Sequence, residues 1–193
     1  MTGIVILPAG RDDAFRDYQQ FVRDGHPIDD IEHYLDEEDL ELFQTTSDAD
    51  RVHVWGTSVD GTWQNVERND IALVYHDGGF VARGHVLQLR HDPDLAEYLW
   101  KEYVDHGRWD DESPWEYMTF LTDIEEIDVD IEEFNALVNY DETYRPQGFT
   151  RVADKRLDQL AGEESVETAI AELTDAGERV HPVDDEDDSP TPA

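Results

Sequence analysis

The chain of 193 residues carries 49 acidic against 14 basic side chains, a formal net charge of −35, yet 38% of it is hydrophobic and 10% aromatic, enough for the core of one domain and too much for an acidic disordered chain. The absence of cysteine excludes disulfides, thiolate nucleophiles and cysteine-based zinc sites. The longest apolar runs, Gly3 to Leu7 and Ile71 to Tyr75, are far too short to span a bilayer and no basic-then-apolar leader opens the chain, so the sequence predicts a cytoplasmic protein without membrane contact.

Gly3 to Leu7 is a β-branched run stopped by Pro8-Ala9-Gly10, a strand entering a turn. Asp12 and Asp13 offer N-cap chemistry to a helix reaching about Arg23, with Phe15, Tyr18, Phe21 and Val22 at helical spacing. After Gly25-His26-Pro27, Ile31, Tyr34 and Leu35 predict a second helix, and Leu40 to Phe43 further helical turns before the polar stretch Thr45 to Asp50. These pieces, residues 1–50, are read as an N-terminal strand and helical extension.

The periodicity then changes. Val52 to Trp55, Ile71 to Tyr75 and Phe80 to Leu89 read as strands, and His76-Asp77-Gly78-Gly79 as the turn of a hairpin. Asp94 to Tyr103 is predicted helical, entered through Asp92-Pro93, followed by a loop rich in Trp, Asp and Gly and a strand from Trp115 to Leu121. Ile131 to Val138, Ala153 to Leu160 and Ser165 to Ala176 are predicted helices, and Asp184 to Asp188 begins a solvated, disordered tail. The order of elements is that of an α+β fold, with residues 51–161 as the principal domain and 162–193 as a helix and acidic tail.

The acids are scattered along the chain and lysine occurs only at Lys101 and Lys155, a pattern of adaptation to molar salt, in which the Debye length falls to about 3 Å and self-repulsion is screened. A nucleic-acid mimic or histone-binding chaperone would instead focus the acids on one face. No phosphate-binding glycine loop, Gly-x-Ser-x-Gly elbow or His-Glu-x-x-His helix is present. The histidines, including His76, His85 and His91, lack metal-site spacing and read as solvated or core-edge residues. Neither catalysis nor a metal or cofactor is expected.

The tryptophans Trp55, Trp63, Trp100, Trp109 and Trp115 are more informative, because so many in one small domain point to a lined pocket as well as a core. Trp55 and Trp63 flank Gly56-Thr57-Ser58, where a glycine allows close approach to the backbone, and Trp109 and Trp115 lie in or beside a long loop. Aromatic planes beside backbone donors and Asn65 suit a flat heterocycle.

Val54-Trp55-Gly56-Thr57, then Trp63 and Asn65, Asn69-Asp70 before an apolar strand ending in Tyr75, and Arg83-Gly84-His85-Val86 together resemble EVE-type domains of the PUA-like superfamily, related to YTH and ASCH modules and often found ahead of HNH-type restriction nucleases. The likeness continues through Leu95-Ala96, Leu99-Trp100, Trp115 to Leu121 and Gln147-Gly148-Phe149, with haloarchaeal-type composition, and spans about residues 3 to 152.

The resemblance implies a small, strongly curved β-barrel with flanking helices that binds a modified or flipped base in DNA or RNA. By that analogy Trp55, Gly56, Thr57 and Asn65 bond a base edge while Trp115 or Trp109 stacks on it, with Trp63 also among the base-binding residues; Arg151, Lys155 and Arg156, the compact positive cluster, are expected to touch phosphate. A separately encoded nuclease is an expected partner. The alternative is a protein-interaction or regulatory scaffold, which predicts a contiguous apolar surface patch.

Overall fold

The leading β-branched run forms β1 (Ile4–Pro8), but this strand lies inside the sheet, parallel to β4 (Ile71–His76) on one side and antiparallel to the two-residue β7 (Thr150–Arg151) on the other. Burial on both faces explains a run with no polar alternation. The structure, a computed structural model, describes residues 1–46, 50–102, 115–160 and 165–178. Trp109, the end of the helix predicted to reach Tyr103 and the acidic tail from Asp184 lie outside the described residues.

After β1, α1 (Asp12–Asp17) continues directly into a π-helical stretch, Tyr18–Arg23. There follow β2 (His26–Pro27), two short 3-10 turns in place of the second predicted helix, α2 (Glu37–Thr46), β3 (Arg51–Thr57) and the single turn α3 (Asp60–Trp63). The hairpin of β4 and β5 (Gly79–His91) leads to α4 (Pro93–Leu99), β6 (Tyr117–Asp130), α5 (Ile131–Leu137), β7, α6 (Asp154–Leu160) and α7 (Val166–Glu178). The strand predicted to end at Leu121 thus runs on through the acid-rich segment to Asp130, paired to β5 throughout.

The seven strands lie in the order β2-β3-β6-β5-β4-β1-β7, with β1–β4 the parallel pair. Three register shifts, at Phe80/Ala82, Arg83/His85 and Val86/Gln88, interrupt the long β5–β6 ladder, and each such bulge adds local twist and bend. The consequence is a curled sheet. Val5 and Leu7 of β1 share one buried cluster with Trp55 of β3, although three strands separate them; in a flat sheet four strand spacings would put those strands about 19 Å apart. Tyr18 and Val22 plug this inner core from the π-helical stretch.

Two further cores clothe the outside of the curl. Ile4, Ile6 and Phe80 pack with Phe134 of α5, Leu157 of α6 and Ile170 of α7, so the C-terminal helix is part of the packed domain. Phe43 of α2, Val52 and Val54 of β3, Leu95 of α4 and Phe120 of β6 form the other.

Buried charge is held by directed bonds. Asp70 accepts from the Gly3 amide at 2.6 Å, the Glu67 amide at 3.0 Å and Arg151 Nε at 3.4 Å, tying β1, β4 and β7 together. Arg90 on β5 reaches Asp39 of α2 at 2.6 Å, the Tyr34 carbonyl at 2.6 Å and Asp92 at 3.0 Å, which fixes the N-terminal helices to the sheet. Among the described residues no helix is long and apolar enough to cross a membrane.

Candidate functional site

Where the π-helical stretch crosses the inner side of β3, packing leaves a cavity of about 150 Å³, lined by Pro8, Ala14, Asp17, Phe21, Val54, Trp55, Gly56, Thr57, Trp100, Trp115 and Phe149. A void of about 150 Å³ admits one six-membered ring. Its walls come from β1, α1, the π-helical stretch, β3, the end of α4, Trp115 two residues before β6 and the residue before β7.

Each wall has a local cause. Antiparallel pairing with β6 places Trp55 opposite Thr119, Gly56 opposite Met118 and Thr57 opposite Tyr117. At Gly56 a Cβ would stand 2.6 Å from Cη2 of Trp100 and 2.7 Å from Cβ of Trp115. The missing side chain of this glycine gives two tryptophans room against the β3 backbone. Trp100 is delivered by α4, whose first turn is capped by Asp92 accepting from the Leu95 amide at 3.0 Å, with Pro93 at the first helical position. The helix ends where Trp100 leaves helical geometry, at φ −106° and ψ 29°.

Two polar groups belong to residues of the lining. The Asp17 carboxylate lies at the end of α1 and is only 6% exposed. Trp100 is 2% exposed, and its Nε1–H is buried without a hydrogen-bond acceptor among the described residues. Thr57 Oγ1 accepts from the Val59 amide at 3.1 Å and holds the end of β3. The site is thus an aromatic slot with one acidic residue in its lining.

Of the residues expected from the sequence, Trp55, Gly56, Thr57 and Trp115 come together around this cavity. Trp63 does not line it: its Nε1 donates to the Met118 carbonyl at 3.3 Å and its ring packs 5.2 Å from that of Tyr117. Asn65 is exposed, with Nδ2 donating to the Gly61 carbonyl at 2.7 Å. Asp17, Phe21, Trp100 and Phe149 are lining residues that the sequence reading left out.

The expected phosphate contacts are placed unequally. Arg151 is bonded to Asp70 and, at 2.6 Å, to Asp154; the Arg156 guanidinium sits 4.5 Å over the Tyr140 ring and donates to the carbonyls of Val138 and Asn139. Lys155 is exposed. A second, polar groove of about 580 Å³ borders Arg23, Arg51, His53 and Glu125, and both its arginines are engaged, Arg23 with Asp24 at 2.8 Å and Arg51 with the Asp24 and Gly25 carbonyls, each at 2.8 Å. The histidines hold structure together: His53 Nδ1 lies 2.6 Å from the Val22 carbonyl and His76 Nδ1 2.7 Å from that of Ala9, and among the described residues no three metal-ligating side chains converge.

No family model matches the chain, and no curated protein matches it by sequence. Among solved structures it is similar to the N-terminal domain of Thermococcus gammatolerans McrB, determined bound to m5C DNA, with a TM-score of 0.65 at 15% identity over 89% of this chain and 99% of that one. The likeness takes in nearly the whole of that domain, and the chain shares its fold.

Proposed function

We propose that this protein is a non-catalytic nucleic-acid-binding module of PUA-like architecture that takes a modified or flipped base into the cavity between Trp55, Trp100 and Trp115. The observation that carries this reading is the cavity itself: one ring in size, walled by aromatics, with Asp17 among its lining residues. The fold shared with a domain that was solved on m5C DNA supports the same reading. The sharply curled sheet suits a small barrel, and a defence setting with a separately encoded nuclease fits a module that reads without cutting.

A protein-interaction scaffold would expose a contiguous apolar patch, whereas among the described residues only Met1 and Val59 are large hydrophobics left exposed. The base-reading proposal is tested by titrating the full chain, at about 2 M KCl to screen its charge, with oligonucleotides carrying 5-methylcytosine, 6-methyladenine or no modification, following tryptophan fluorescence. Quenching by one modified base, weakened about tenfold or more in Trp115→Ala through loss of stacking, is the expected result. A folded protein that answers to none of the probes overturns it.

A further inference from the structure

In a chain with 49 acids and 14 bases, nearly every guanidinium among the described residues finds a partner inside the molecule. Among the described residues Arg11, Arg23, Arg83, Arg90, Arg145 and Arg151 bond carboxylates, and Arg51, Arg68 and Arg156 bond backbone carbonyls. Three cationic side chains remain without a partner among the described residues: Arg16, Lys101 and Lys155. Two of the three adjoin the cavity in sequence, Arg16 beside Asp17 and Lys101 beside Trp100.

Arg16 is exposed on the short helix that carries two of the lining residues. Ala14 and Asp17, three residues apart, share the face of α1 that lines the cavity, and position 16 is turned about 100° from Asp17, where it is exposed. Asp12 and Asp13 lie one turn behind Arg16, yet it bonds neither; Asp13 is taken by Arg11 at 3.0 Å. Lys101 continues the chain from the Trp100 wall into solvent and likewise takes no carboxylate, although Glu97 is one turn back.

Resting on the base-reading proposal, we infer that Arg16 and Lys101 clasp the phosphodiester groups that flank the base held in the cavity. A nucleotide approaching a chain of net charge −35 is repelled by it, and in molar salt, with a Debye length of about 3 Å, cations in direct contact with phosphate are the ones that offset this. The charges that matter are therefore those that touch phosphate, not the protein total. Arg16 can meet phosphate with a two-pronged guanidinium and Lys101 with a point charge.

The test compares Arg16→Gln, Lys101→Gln and, as a charge-matched control from the positive cluster read in the sequence, Lys155→Gln, all in the full chain. Each is titrated with 5-methyl-deoxycytidine nucleoside and with a short single strand carrying one 5-methylcytosine, over a KCl series. The clasp predicts nucleoside affinity unchanged in all three, oligonucleotide affinity reduced roughly fivefold in each of the first two and not in the third, and a log–log salt slope less negative by about 0.7 per charge removed. Oligonucleotide affinity that is intact in both Arg16→Gln and Lys101→Gln while the nucleoside still binds overturns the clasp alone, as does an equal loss in Lys155→Gln. Absence of binding of both ligands by folded wild-type protein overturns the cavity reading and the clasp with it.

Discussion

The indole of Trp100 meets that of Trp115 edge-on, with ring centroids 5.6 Å apart and planes at 85°, and both residues crowd the bare Cα of Gly56. One hydrogen atom on β3 thereby sets the distance between a strand, a helix end and the entry to β6. The wall of the cavity depends on that spacing.

Gly56→Ala puts a methyl group 2.6 Å from the Trp100 ring and 2.8 Å from the Trp115 carbonyl oxygen, a contact that side-chain rotation alone does not relieve because part of it is backbone. Overpacking of this kind costs about 1–3 kcal/mol, a fall in Tm of roughly 2–4 °C for each kcal/mol in a chain of this size. Melting in concentrated KCl should show the drop, and base binding should weaken with it. An unchanged Tm would mean that the tryptophans do not rest on β3 as described.

Asp92 is the cap of α4 and also a partner of Arg90, with Oδ1 on the Leu95 amide at 3.0 Å and Oδ2 3.0 Å from Arg90 Nε. Asp92→Ala loses the cap, about 1 kcal/mol, and loosens the helix whose end carries Trp100. The expected result is a modest loss of stability accompanied by a shifted tryptophan emission. Asp92→Asn, which keeps an acceptor for the Leu95 amide, should restore most of the stability.

Burial holds the His26 imidazole below its ordinary pKa, with Arg51 acting in the same direction and Asp30 opposing, and its Nε2 is buried without a hydrogen bond, 3.9 Å from Asp30. The unfolded chain, titrating near the usual value of about 6.5, therefore takes up the proton before the folded one. Stability is full above that value, falls as the pH drops through it toward the depressed folded value, and levels off below. His26→Phe removes this component while keeping a ring beside Phe21, 6.4 Å away, and Tyr98, 5.9 Å away. Denaturation at about pH 7.5 and about pH 5.5 at one salt concentration should show a smaller pH difference in the variant; an identical difference would assign the effect to other groups.

How much of this was legible in the sequence differs by element. Hydrophobic runs and turn residues marked β1, β4, β5, α5, α6 and α7 closely, because each has a dominant apolar face and a clear punctuation. The second half of β6, Thr122 to Asp130, carries no such mark: its pairing with β5 is backbone, and acids on an exposed strand read like a loop. The placing of β1 within the sheet was hidden as well, since a buried apolar strand looks alike at an edge or at the centre. At the site, Trp55, Gly56, Thr57 and Trp115 were found by their residue types. Asp17 was not, because one carboxylate among 49 gives no sign that it is buried, and Trp100 was not singled out from the other tryptophans because the backbone break that turns it from its helix is a matter of packing.

The cavity wall begins at Pro8 and is completed at Phe149, with Trp55, Trp100 and Trp115 arriving in between. Most of its lining lies within the first 57 residues, but Trp100, Trp115 and Phe149 come much later, so the pocket has no complete wall on the ribosome until the last of them has emerged. Long-range assembly of this kind is slow compared with local helix formation. Under the base-reading proposal, the newborn chain cannot take up a base until these late residues have joined the early wall.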